Sequence, residues 1–250
     1  MTRAIILIHG VNCGGWCFDR FRAVLEQAGF DCHAPDLIGH GADKTNGIEK
    51  LTGTSIADYR AQIAGLAESL PEKPILLGHS MGAVIAQQIA ASGAAEKLVL
   101  VSPAARAGIL PGSPAEKQLG QDLMSLGAFW TKAFDPNFEI AREISLNRLS
   151  AERQREVFDQ FGPESGQALF ELFFWMFDQG AATEVDTGAI QCPVLTLVGT
   201  EDHVVSIESA KATAAAYPGS PFWALEGHGH MLLEEDGADL LAKRIAAWLG

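Results

Sequence analysis

Residues 74–86 read PILLGHSMGAVIA. A short apolar run enters Gly78-His79-Ser80-Met81-Gly82 and leaves at once in a helical pattern. A turn that only connects has no use for a serine between two glycines. A turn that must lift a hydroxyl clear of a sheet does. Glycines at 78 and 82 let strand and helix approach closely, and the serine takes strained backbone geometry at the helix N-terminus. The helix dipole and free N–H groups there favour developing negative charge, with the Met81 N–H as one candidate oxyanion donor. As plain structure, Ser80 would merely cap a helix.

The sequence around this turn alternates strand and helix signals. Residues 4–8 (AIILI), 30–34, 74–77 and 97–102 are short apolar runs of the kind covered on both faces. Helical spacing appears over 18–28, stopped by Gly29, over 55–70, where Ser55 can cap, and over 81–92. Residues 36–50 are glycine-rich and polar, hence a loop. This rhythm predicts a mostly parallel sheet with helical crossovers. It breaks over 104–189, which shows no convincing strand and many aromatics. Strands resume at 193–198 (PVLTLV) and 222–225 (FWAL), and a last helix covers about 237–249. The expected division is a core of residues 1–103 and 190–250 with a helical cap at 104–189. Most cap aromatics would form the cap's own core, and a minority would face a pocket.

A serine hydroxyl near neutral pH needs a base. Of the seven histidines, His228 and His230 follow the last strand in EGHGHM, at the sheet end where open α/β folds carry their sites. His230 is preferred, because Met231-Leu232-Leu233 can anchor it and Gly229 gives the turn its freedom. An imidazole base is best held by a carboxylate. Asp202, in GTEDHVV after PVLTLV, is the candidate, with Gly199 allowing the turn and Glu201 as local competitor. The order Ser80, Asp202, His230 is that of a nucleophile-elbow architecture. A second oxyanion donor is expected from HGVNCGGW after the first strand, at the Val11 N–H, with His9-Gly10 positioning that backbone. His9, Trp130, Phe134, Trp175 and Val204 are candidate pocket residues.

The 250 residues carry 48% hydrophobic and 20% charged side chains, ordinary for a globular chain. The net charge of −13 argues against nucleic acid and anionic membrane surfaces as partners. Cys13, Cys17, Cys32 and Cys192 lack zinc-site spacing, so no metal is expected. The opening run MTRAIILIHG is too short for a signal core or a membrane span, and the expected compartment is the cytoplasm.

His9-Gly10, Asp36-Leu37-Ile38-Gly39-His40-Gly41, Gly78-His79-Ser80-Met81-Gly82, Gly199 to Asp202 and Gly229-His230 together resemble the α/β-hydrolase superfamily over nearly the whole chain. IHGVNCGGWCF with LEQAGFDCHAPDL resembles more narrowly the branch of plant methylesterases, hydroxynitrile lyases and related bacterial esterases. Lyase-type members usually carry lysine directly after the catalytic histidine; Met231 stands there, as in the esterase type. The resemblance implies an α/β-hydrolase fold with a helical cap between the sixth and seventh strands. It also implies a cofactor-free serine hydrolase with a pocket under that cap. The aromatic cap points to an ester of a small apolar or aromatic molecule, a lactone or thioester fits the same chemistry, and a monomer or homodimer is expected. The alternatives are a lyase, C–C bond hydrolase or perhydrolase on the same constellation, and a small-molecule receptor without turnover.

Overall fold

The computed structural model describes residues 2–43 and 47–250; the middle of the loop expected at 36–50 lies outside them. The main sheet has six strands: β1 (Ala4–Ile8), β2 (Asp31–His33), β3 (Ile75–His79), β4 (Lys97–Val101), β7 (Val194–Gly199) and β8 (Phe222–Leu225). The remaining pair, β5 (Ala133–Phe134) and β6 (Glu164–Ser165), forms a separate antiparallel ribbon. Every neighbouring pair in the main sheet is parallel, in the order β2-β1-β3-β4-β7-β8.

Burial on both faces explains the unbroken apolar runs. Along β1 and β3, Ile5, Leu7, Ile75 and Leu77 enter one core, while Ile6, Ile8 and Leu76 enter the other. The first core is closed by α1 (Asp19–Gln27) and α10 (Ala238–Leu249) through Leu25 and Ile245. The second is closed by α3 (Ile56–Ser69) and α4 (Met81–Ala91) through Ile63 and Val84. Ser55 caps α3 in a capping box with Asp58, as its position before an apolar periodic run predicts. Two helices were not anticipated: α2 (Gly47–Leu51), inside the expected loop, and α9 (Ile207–Ala214), capped by Ser206.

The chain runs from β1 outward to β2, then returns across β1 to begin β3. The sheet therefore changes direction between β1 and β3, and the loops leaving those two strands flank a crevice at their carboxyl ends. The loop after β1 begins at His9 and that after β3 at Ser80.

Residues 104–189 lie between β4 and β7, the fourth and fifth strands of this chain's main sheet. They hold α5 (Pro114–Ser125), α6 (Phe138–Ile144), α7 (Ala151–Phe158) and α8 (Gly166–Phe173). They also hold the β5–β6 ribbon, which the expectation of no strand there missed; two-residue strands are too short for a period-2 pattern to register. Phe129, Trp130, Phe134, Phe170 and Phe174 pack on one another, with ring centroids 5.3–6.3 Å apart. No helix among the described residues is long and apolar enough to cross a membrane.

Candidate active site

Ser80 has φ 53° and ψ −120°, a conformation a non-glycine residue adopts only when its surroundings impose it. Its N–H donates to Val101 O (3.0 Å), and its carbonyl accepts from Ala83 N–H (3.0 Å) and Ala104 N–H (3.1 Å). A Cβ at Gly78 would overlap the backbone of Gly82, and one at Gly82 would overlap the Ile8 carbonyl. Both glycines are therefore needed for the close approach of β3, α4 and β1.

Asp202 follows β7, and His230 follows β8. His230 Nδ1 lies 2.9 Å and 3.1 Å from the two Asp202 carboxylate oxygens. Asp202 Oδ1 also accepts the N–H groups of Val204 and Val205, each at 2.8 Å. Burial alone would raise the Asp202 pKa, but the charge and hydrogen bond of His230 and the backbone donor outweigh it, and the carboxyl is held below its usual range. With Nδ1–H given to Asp202, the free nitrogen of His230 is Nε2. Ser80 and His230 line the same cavity. They are not hydrogen-bonded to each other: among the described residues Ser80 Oγ has no partner. Such contacts commonly tighten only when substrate binds.

The competing candidates are engaged elsewhere. His228 Nδ1 is paired with Glu235 (2.9 Å), whose carboxylate also accepts Gly229 N–H. Glu201 is exposed and paired with Arg148 (3.1 Å). Two glycines differ from expectation. Neither Gly199 nor Gly229 has positive φ; Gly227 supplies the left-handed turn (φ 73°). A Cβ at Gly199 would overlap the His228 carbonyl, so this glycine lets the two loops touch.

His79 is the neighbour of Ser80 on the sharp turn, where adjacent side chains are expected to point apart. Its ring nevertheless lies 4.8 Å from that of His230, and its Nε2–H donates to His230 O (3.0 Å). It thereby fixes the backbone that carries the imidazole, a role with no local sequence signal.

On the other side of the crevice, a Cβ at Gly10 would lie 2.8 Å from Ser80 Cβ, so the loop after β1 runs directly against the serine. Val11 lines the cavity, and its N–H is unpaired among the described residues. The Met81 N–H, at the first position of α4, has no intrahelical partner. Asp36 pins this loop, accepting Gly15 N–H (2.8 Å) and Ala42 N–H (3.1 Å).

Of the five pocket residues expected, Trp175 and Val204 line the cavity. His9, Trp130 and Phe134 do not. Trp130 and Phe134 are held in the aromatic cluster around Phe129. His9 is fully enclosed: Nε2 accepts Leu37 N–H (3.0 Å) and Nδ1–H donates to Gly10 O (2.9 Å). Phe161, Phe173, Leu119, Leu123 and Ile144 supply the apolar wall instead. At about 230 Å³ the cavity has room for a small ligand and is no packing defect, since one water needs only ~10–15 Å³. Among the described residues no lysine or arginine lines it, and its acidic side chain is Glu116.

Burial, helped by neighbouring imidazoles, lowers the His9 pKa to about 4 and that of His79 to about 3. In the unfolded chain both lie near 6.5. Below pH ~6.5 the unfolded chain thus binds protons that the folded one refuses, and stability falls as pH falls, by about 1.4 kcal/mol per unit for each histidine. The urea midpoint at pH 5 is expected to lie clearly below that at pH 7; equal midpoints would contradict burial of two neutral imidazoles.

A family model described as the alpha/beta hydrolase family matches residues 5–244. The chain belongs to the alpha/beta hydrolase family. A pyrethroid hydrolase of Sphingobium wenxiniae is 26% identical over 228 residues, 86% of this chain and 76% of that one. A putative chloroplastic methylesterase of Arabidopsis thaliana is 38% identical over 84 residues, 32% of this chain and 20% of that one. The crystal structure of a methylesterase from Arabidopsis superposes with a TM-score of 0.74 at 16% identity, covering 99% of both chains. The alpha/beta hydrolase fold and its six-stranded parallel sheet are thus shown, and esterases are among its relatives.

Proposed function

We propose that this hydrolase cleaves a carboxylic ester, lactone or thioester of a small, neutral, apolar or aromatic molecule through an acyl-enzyme on Ser80. The observation that carries the reading is the convergence of Ser80 and the Asp202–His230 pair on one apolar cavity. Residues 1–103 and 190–250 act as the catalytic core and 104–189 as a cap that supplies much of the cavity wall.

His230, oriented by Asp202, accepts the Ser80 proton as Oγ attacks the carbonyl carbon. The N–H groups of Val11 and Met81 receive the negative charge on the carbonyl oxygen. The alcohol departs with the proton from His230, and water activated by the same imidazole releases the acid. Relatives named for pyrethroid and methyl-ester hydrolysis support an ester substrate.

The lining also selects by charge. A carboxylate brought into a wall without lysine or arginine would lose water and gain no partner. The test is a pair of p-nitrophenyl esters of similar length, a butyrate and a hemisuccinate. The expected kcat/KM for the neutral ester is higher by roughly 10²-fold, the scale set by leaving a charge unpaired. Equal values would overturn the assignment of a neutral substrate, and no hydrolysis of any ester in a broad panel would overturn the esterase reading.

A further inference from the structure

The turn after β1 is gripped from a segment some 150 residues away. Asn12 has φ 61°, a left-handed conformation that needs support in a non-glycine residue. Three hydrogen bonds tie it to residues 162–164. Asn12 Nδ2 donates to Gly162 O (2.8 Å), Gly162 N–H donates to Asn12 O (2.9 Å), and Asn12 N–H donates to Glu164 Oε2 (3.3 Å).

Glu164 is fully buried in β6. Its Oε1 accepts the Tyr59 hydroxyl and Ser165 N–H, both at 2.8 Å. Its Oε2 lies 3.1 Å from His40 Nε2. His40 Nδ1 lies 3.0 Å from Ile38 O, a carbonyl that only accepts, so that nitrogen carries a proton too. With both ring nitrogens donating, His40 is the cation that balances Glu164. A buried ion pair is weak evidence of stabilisation, because an apolar pair of similar volume often serves as well. An apolar side chain at 164 could not accept the Asn12 N–H.

We propose that Glu164 is a positioning residue for the reaction: by accepting the Asn12 N–H it fixes the Gly10-Val11-Asn12 backbone so that the Val11 N–H meets the oxyanion. This rests on the assignment of the Val11 N–H as an oxyanion donor. It makes the ribbon within residues 104–189 part of the catalytic geometry, while other residues of that segment wall the cavity.

Glu164→Gln isolates the contact. The amide oxygen must take the Oε1 place, where two donors point. The NH₂ then replaces Oε2; it can donate to a neutral His40 Nε2 but opposes the Asn12 N–H, so one hydrogen bond is lost. The expected result is a kcat lower by roughly 10- to 100-fold, part of the ~10²–10³ that losing an oxyanion donor costs, with KM within about twofold. A boronic acid that mimics the tetrahedral intermediate should weaken by the same factor, while the product alcohol should bind unchanged. Tyr59→Phe, which removes a bond to the other carboxylate oxygen, should keep kcat within about twofold; a loss equal to that of Glu164→Gln would mark general destabilisation and overturn the proposal. Should Glu164→Gln fail to fold, Glu164→Asp, which keeps a negative charge beside His40 but withdraws the carboxylate from the Asn12 N–H, must show the same kcat-selective loss. Wild-type kcat in whichever variant folds overturns the proposal. Failure of the wild-type chain to hydrolyse esters overturns instead the reading on which it rests.

Discussion

Ser80→Ala is expected to lower kcat/KM toward an accepted ester by about 10⁴- to 10⁶-fold while leaving the fold and the binding of the product alcohol nearly unchanged. The size follows from what is removed. In the proposed mechanism the hydroxyl is the atom that bonds to the carbonyl carbon, and no other hydroxyl or thiol is held in the same strained turn. Cys13 lines the cavity but sits on the loop after β1, outside the α4 N-terminus. The side chain is small and makes no hydrogen bond among the described residues, so the truncation costs little stability. Steady-state kinetics with a p-nitrophenyl ester measures the effect. A loss of less than tenfold would mean that turnover proceeds without the serine, by water attack or at another site.

The second large effect belongs to Asp202→Asn, for which kcat is expected to fall by about 10³- to 10⁴-fold with the fold retained. An asparagine can keep an acceptor toward Val204 and Val205 N–H. Its NH₂ then faces His230 Nδ1, and the ring answers by moving its proton to Nε2, the nitrogen that receives the serine proton in the proposed mechanism. The buried negative charge that steadies the imidazolium is lost as well. The loss should shrink as pH rises, because hydroxide can partly replace the misprotonated base; a loss that is uniform across pH, or absent, would separate Asp202 from the chemistry.

Much of this arrangement could be read from the chain itself because its decisive parts are local. Ala4–Ile8 and Phe222–Leu225 have the expected bounds, since buried parallel strands are short continuous apolar runs ended by turn residues. Ser80, Asp202 and His230 stand just after strands, and parallel strands in one sheet deliver their carboxyl ends to one edge. What escaped was decided by distant partners. The α9 sequence, IESAKATA, is rich in small residues and has weak apolar periodicity; only Ser206 announced it. Trp130 and Phe134 resemble pocket residues by type, yet neighbouring rings claim them. Gly199 and Gly229 looked like turn glycines, but each is small to make room for another loop. Glu164 and Asn12 lie 152 positions apart, and nothing near either one marks it.

The central claim is that the elbow serine is an activated nucleophile, and a fluorophosphonate tests it most directly. Intact-mass and peptide spectra of the folded protein should show one adduct, on Ser80, whose formation slows strongly in His230→Ala and vanishes in Ser80→Ala. A folded wild-type protein that stays unlabelled at Ser80, or that labels equally fast without His230, would contradict the account.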